Sequence, residues 1–155
     1  MSEIFTIVCE NVSVSAAEDI LAAYAASTKK LQLLAVEVAA NGQTTVGNYP
    51  MRLRYLAATV TPGTGGSAVT PVNTNPDGAV ASFTARANDT AHATSSTSKD
   101  LVATQFNPIN GYYWTPPTSS DDAPKADLSG AFILSLDGAP GAPINISATM
   151  WLKEI

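Results

Sequence analysis

Charge is scarce in this chain. Only 14% of its residues are charged, against the ~25% usual in soluble domains. Cysteine is scarcer still, with Cys9 alone. A lone thiol excludes an internal disulfide framework and any cysteine-built metal centre. Its apolar neighbours make it a buried, inert side chain. Histidine also occurs once, as His92. One ring flanked by Ala91 and Ala93 cannot assemble a catalytic triad, so a surface histidine is expected. No stretch approaches the ~20 apolar residues of a spanning helix, so no membrane partner is expected. The opening Met1-Ser2-Glu3-Ile4 lacks a basic segment followed by a long apolar core, so synthesis and assembly in a cytosol are expected.

Basic residues are few as well. Eight Lys and Arg stand against 13 Asp and Glu, a net charge of −5. Arg52, Arg54 and Arg86 are dispersed and Lys29-Lys30 is only a pair. Without a basic stripe, no nucleic-acid partner is expected.

What is present is small and uncharged. Of 155 residues, 45% are hydrophobic, and Ala, Ser, Thr, Gly and Pro replace the missing charge. This mixture suits short strands joined by long polar loops. The length suits one domain spanning 1–155 with one core. Extensive uncharged surface is tolerable where partners cover part of it.

The chain is organised around Gly63-Thr64-Gly65-Gly66-Ser67-Ala68-Val69-Thr70-Pro71-Val72-Asn73-Thr74-Asn75-Pro76. The run holds no charge and no helical pattern. Glycine permits positive φ and proline removes a donor. A connection this long in a small domain is functional or disordered. It is expected to cross between two sheets and to form an arm that reaches a neighbour.

Strands are expected on both sides. Ile4–Ser15 alternates with period two and resumes after Asn11. Ala16–Ala26 is ambiguous: Ser15-Ala16-Ala17-Glu18 fits a capping box, while Ile20, Ala22, Tyr24 and Ala26 alternate. A strand is expected there. Lys30–Ala40 is a strand, with Gln32 and Glu37 on opposite parities. Asn41–Tyr49 is a loop. In Met51–Thr61 the apolar Met51, Leu53 and Tyr55 oppose Arg52 and Arg54, as in a half-buried strand. Further strands are expected at Val80–Ala87, Leu101–Asn107, Phe132–Leu136 within Asp127–Asp137, and Ile144–Ile155, while Tyr112-Tyr113-Trp114 follows the turn at Gly111 without a strand assignment. Asn88–Ser98 and the segment from Pro116 to Ala126 read as loops, Asn107–Gly111 and Gly138–Pro143 as turns. About eight strands with long connections and almost no helix predict an antiparallel β-sandwich, jelly-roll-like and all-β.

No constellation carries catalytic chemistry, so the chain is not expected to be an enzyme. Asp121 and Asp122 are adjacent in a loop and would diverge, unlike a glycosidase pair. Gly63-Thr64-Gly65-Gly66-Ser67 lacks the Gly-Lys-Ser/Thr ending and following helix of a phosphate loop. The three Asn-x-Ser/Thr matches, at Asn11, Asn88 and Asn145, are chance matches without a secretory signal. No cofactor and no metal are expected; no EF-hand spacing exists. The candidate contact residues are Arg52, Arg54, Gly65, Gly66, Tyr112, Tyr113 and Trp114. In alternation Tyr112 and Trp114 share one side and Tyr113 takes the other, which suits core packing, an interface anchor or a sugar-stacking platform.

Several features together resemble a family of small β-sandwich proteins of tailed bacteriophages, the head decoration (cement) proteins. They are Gly63-x-Gly65-Gly66-Ser67, Thr70-Pro71, Ala81-Ser82-Phe83-Thr84, Asn88-x-Thr90, Asn107-x-x-Asn110-Gly111 with Pro116 after the aromatics, Ala139-Pro140, and Ser147-Ala148-Thr149-Met150-Trp151. They run in the family's order over most of the chain. The aromatic after Gly111 and the long Ala16–Ala26 segment depart from that pattern. The resemblance implies a jelly-roll-like fold, homotrimers on the capsid surface, the major capsid protein as partner, and no enzymatic activity. A tail or fibre component and a carbohydrate-binding module are the alternatives.

Overall fold

A computed structural model describes residues 3–42, 47–57, 59–117 and 120–155. Within the expected Asn41–Tyr49 loop, residues 43–46 lie outside the described residues, as do Ala58 and residues 118–119.

The described residues form twelve strands: β1 (Ile4–Val14), β2 (Glu18–Tyr24), β3 (Leu31–Asn41), β4 (Tyr49–Ala57), β5 (Ser67–Val69), β6 (Val72–Asn73), β7 (Thr84–Asp89), β8 (Thr97–Phe106), β9 (Tyr112–Trp114), β10 (Lys125–Ala126), β11 (Ala131–Leu136) and β12 (Ile144–Glu154). Eight of them have six residues or more, so the expected count holds for the long strands. A single 3-10 turn occupies Ser120–Asp122.

The strands build two antiparallel sheets. One runs β10-β3-β12-β1-β6, with β9 also on the free edge of β3; the other runs β5-β7-β2-β11-β4-β8. Without β5–β7 and β10, the orders become β1-β12-β3-β9 and β2-β11-β4-β8. That alternation of successive strands between two sheets is a jelly roll. The segment from β5 to β7 is an insertion that widens both sheets at one side. The Gly63–Pro76 run does cross between sheets. β5 pairs with β7 in the second sheet and β6 pairs with β1 in the first. Only Thr70 and Pro71 lie between them.

The core lies between the sheets. Phe5, Ile7, Leu33, Val36, Ile146, Met150 and Leu152 from the first meet Leu53, Phe106, Phe132, Leu134 and Leu136 from the second. Phe5 and Phe83 join edge to face, centroids 5.6 Å apart. Burying one such side chain contributes about 1.5–3 kcal/mol.

Bulges sort the faces. Between Cys9 and Val12 the β1–β12 register shifts, with Asn11 at φ 54°. The extra residue returns Val12 and Val14 to the inner side, which explains why alternation resumes after Asn11. A second shift against β12 leaves Leu34 unpaired between Leu33 and Ala35. It places Gln32 and Glu37 on the same outer side, correcting the reading of opposite parities.

β2 is a strand and every residue of it is buried, as is every residue of β11. Over β2 and β11 the second sheet is covered on its outer face by its own chain. A ribbon made by Thr61 with Thr94 and Thr64 with Ala91 crosses there. Val60 and Ala93 pack on Ala22, Tyr24, Leu56, Ala131 and Ile133. Burial on both faces removes period-two contrast, and the small alanines beneath the ribbon mimic a helix signal.

Several boundaries differ from expectation. The strand expected at Met51–Thr61 is β4, Tyr49–Ala57, that expected at Leu101–Asn107 is β8, Thr97–Phe106, and the expected loop from Pro116 to Ala126 carries the 3-10 turn and β10. The strand expected at Val80–Ala87 is β7, Thr84–Asp89; Val80 is 91% exposed, and the Ser82 and Phe83 amides donate to Glu154 instead of a neighbouring strand. The expected loop Asn88–Ser98 loses Asn88 and Asp89 to β7 and its last residues to β8. Polar strand ends are hard to distinguish from loop when their partners are distant carboxylates.

Strand β8 is an edge with β4 as its one strand neighbour. It carries exposed Lys99 and Asp100, and a register shift leaves Leu101 out of the pairing.

Candidate functional site

The candidate residues fall in three separate places. Arg52 and Arg54 project from the outer face of β4. Arg54 donates to Ser135 Oγ at 2.7 Å and Asp137 Oδ1 at 2.6 Å. Arg52 reaches Asp100 at 3.0 Å and Asp137 at 2.5 Å. Both guanidiniums are therefore engaged inside the chain, and their energetic role is local ion pairing of modest size.

Gly65 and Gly66 lie in the ribbon against the end of β7. Gly65 has φ +96° and a Cβ there would sit 2.2 Å from Thr90 Oγ1. At Gly66 a Cβ would sit 2.0 Å from the Ala87 carbonyl oxygen. The Gly66 amide donates to Asp89 Oδ1 at 2.9 Å, and Asp89 also receives Arg86 at 2.7 Å. The glycines serve close approach of the chain to itself.

The same ribbon is held by buried groups that the sequence did not connect. Asp19 lies beneath His92, with the His92 Nδ1 2.7 Å from its carboxylate, and the Ala93 amide donates to it at 2.7 Å. The expected isolated surface histidine is thus a half-exposed partner of a buried acid. Tyr24 Oη accepts from the Gly63 amide at 3.2 Å, and burial pushes this phenol up to about 12. Ser95 Oγ donates to the Ala57 carbonyl.

Tyr112, Tyr113 and Trp114 form β9 on the free edge of β3, where Tyr113 pairs with Glu37. Tyr112 and Trp114 pack against the core, and Tyr113 faces outward at 64% exposure. The expected alternation of these three holds.

The first sheet has the bare outer face. Its register aligns Tyr113, Glu37, Thr149 and Val8 in one row, and Ala35, Trp151, Thr6 and Val72 in the next. Ile4, Val8 and Val72 are exposed large apolar residues at its β1–β6 side. The arm continues that side. Glu3 accepts from Asn73 Nδ2 at 2.9 Å and from the Ala79 amide at 3.0 Å, and the Thr74 amide donates to the Ile4 carbonyl at 2.9 Å. An open groove of about 350 Å3 lies there, lined in part by Phe5, Pro71, Val72, Pro76 and Val80. Sequence reasoning missed Ile4, Val8, Val72 and Val80. The available signal was that both parities of Ile4–Cys9 are apolar, which leaves one apolar set without a core to enter.

Cys9 is buried, and burial pushes its thiol up. Among the described residues no group of three or more His, Cys, Asp or Glu could hold a metal ion, and no helix is long and apolar enough to cross a membrane. No protein-family model, no curated protein and no solved structure matches the chain.

Proposed function

We propose that this chain is a virion structural protein, a decoration protein that binds the outside of a tailed-phage head as a trimer and clamps adjacent major capsid subunits. The observation that carries the reading is the arm: a proline-containing crossing, uncharged over Gly63–Pro76, that presents exposed Val72 and leads past Asp77 to exposed Val80 beside a shallow groove. Lattice binding needs many modest contacts multiplied by symmetry. A protein that binds the assembled shell and not its dissociated parts stabilises the shell by linkage. The jelly roll supplies the rigid body and the low charge suits surface that a neighbour covers.

The test uses purified heads stripped of this protein. Adding it back should raise the temperature at which the heads break. The Val72→Glu/Val80→Glu double variant should fold normally and fail to bind, because both side chains are already in solvent. Wild-type binding by that variant, or absence of the protein from purified virions, overturns the reading. Virion density on the tail instead of the head would replace it with the tail-component reading.

A further inference from the structure

The far side of the bare face carries a second, different surface. A cleft of about 200 Å3 opens beside β9, lined by Glu37, Val38, Ala39, Asn110, Gly111, Tyr112 and Tyr113. Its chemistry is mixed in a particular way. Tyr113 offers an exposed ring. Glu37 sits directly across from it in the β3–β9 register. Neither the Glu37 carboxylate nor the Asn110 carboxamide has a hydrogen-bond or ion-pair partner among the described residues. Ala39, also lining the cleft, adds little bulk. Trp151 stands on the same face, two strands across and one row along. From strand spacing and rise, its Cα lies about 12 Å from that of Tyr113.

We propose that this cleft binds one ring of a neutral oligosaccharide, with Trp151 as a second platform for a ring further along. A pyranose has one C–H face and a rim of hydroxyls. The Tyr113 ring takes the C–H face. The Glu37 side-chain oxygens accept from two hydroxyls, and Asn110 both donates and accepts. A few convergent polar groups beside an aromatic wall is the usual form of a small-molecule site. The volume is below the ~300–1,000 Å3 of sites for larger ligands, which fits a single ring. A carboxylate without a cation beside it disfavours a phosphate or other anion. This site is independent of head binding, which engages the opposite, β1–β6 side of the sheet.

The experiment titrates the isotope-labelled full chain with maltotriose, cellotriose and triacetylchitotriose separately, each to about 20 mM, followed by amide NMR shifts. At least one trisaccharide should give saturable shifts confined to residues 37–39, 110–114 and the surroundings of Trp151, with Kd ~1–10 mM. Tyr113→Ala and Glu37→Gln should each weaken it about tenfold while keeping wild-type spectral dispersion elsewhere. Lys99→Ala, on the exposed edge of the other sheet, should bind as wild type. Absence of saturation with all three sugars overturns the proposal, as do shifts that persist in Tyr113→Ala. Head binding is unaffected by either outcome and is read separately.

Discussion

The Asp19 carboxylate joins the His92 ring and the backbone beside it: His92 Nδ1 and the Ala93 amide nitrogen each lie 2.7 Å from one of its oxygens. Asp19 belongs to the sheet and both partners belong to the ribbon, so this one buried acid fastens the cover over the second sheet. Asp19→Ala leaves the buried Ala93 amide without an acceptor and should cost roughly 1–3 kcal/mol in chemical denaturation. His92→Ala keeps that amide bond and should cost less. An Asp19→Ala variant as stable as wild type would mean that the ribbon is held without this contact.

Two buried glutamates should give the protein opposite responses to pH. Glu18 is buried with Oε1 unpartnered. Burial pushes its carboxyl above the ordinary 4.5, with a lesser lowering from His92. A raised acid favours the folded state most below pH 4.5, and that contribution is lost as pH rises through the folded value. Glu18→Gln removes the buried charge. It should therefore stabilise the fold at pH 8, by about 1 kcal/mol, and do little at pH 4. Thermal melts at the two pH values check this, and equal shifts at both would refute it.

Glu154 behaves in the other sense. Burial alone would raise it, but Lys29 at 2.6 Å and the Ser82 hydroxyl and amide, each at 2.6 Å, outweigh burial and hold the carboxyl below its ordinary 4.5. A lowered acid contributes stability above pH 4.5 that disappears as pH falls through the folded value. Glu154→Ala leaves the Ser82 and Phe83 amides without their acceptor and frees a half-exposed Lys29, and should cost roughly 1–3 kcal/mol at pH 7. The penalty should shrink in acid, measured by denaturation at pH 7 and pH 3. A penalty independent of pH would assign the loss to packing.

At Gly66 the crossing arm passes close against β7. A methyl there meets the Ala87 carbonyl at 2.0 Å, which forces β5 away from β7. Gly66→Ala should lower stability by roughly 2 kcal/mol and release amide-exchange protection over residues 67–69. Gly141, whose Cβ would meet nothing within 4 Å, supplies the control, and Gly141→Ala should be within about 0.5 kcal/mol of wild type. Equal effects at the two positions would contradict the close-approach argument.

How much of this was legible in the chain depends on whether the cause is local. The long strands with one wet face, such as Ile4–Val14 and Ile144–Glu154, are written in alternation. The sheet crossing is visible in Gly63–Pro76 because glycine and proline act on their own backbone. The strand in Glu18–Tyr24 was harder to read because its outer side chains are covered by residues distant in sequence, Val60 on one segment of the ribbon and Ala93 on the other. The Asp19–His92 contact and the ion pairs of Arg52 and Arg54 were illegible for the same reason. Among the candidates, parity correctly separated Tyr113 from Tyr112 and Trp114 but did not say which side was outward, whereas Glu37, its neighbour across the strands, was displaced to the shared side by the bulge at Leu34.

The lateral rim formed by β8 has a consequence for crowding. An exposed strand with an open row of amides and carbonyls invites another molecule to extend the sheet, and from there fibres can grow. Here the rim is interrupted at Leu101 and flanked by a lysine and an aspartate that any flat approach would have to desolvate. Molecules held shoulder to shoulder at high local density should therefore meet through side-chain surfaces and stay separable, with no backbone-to-backbone polymerisation.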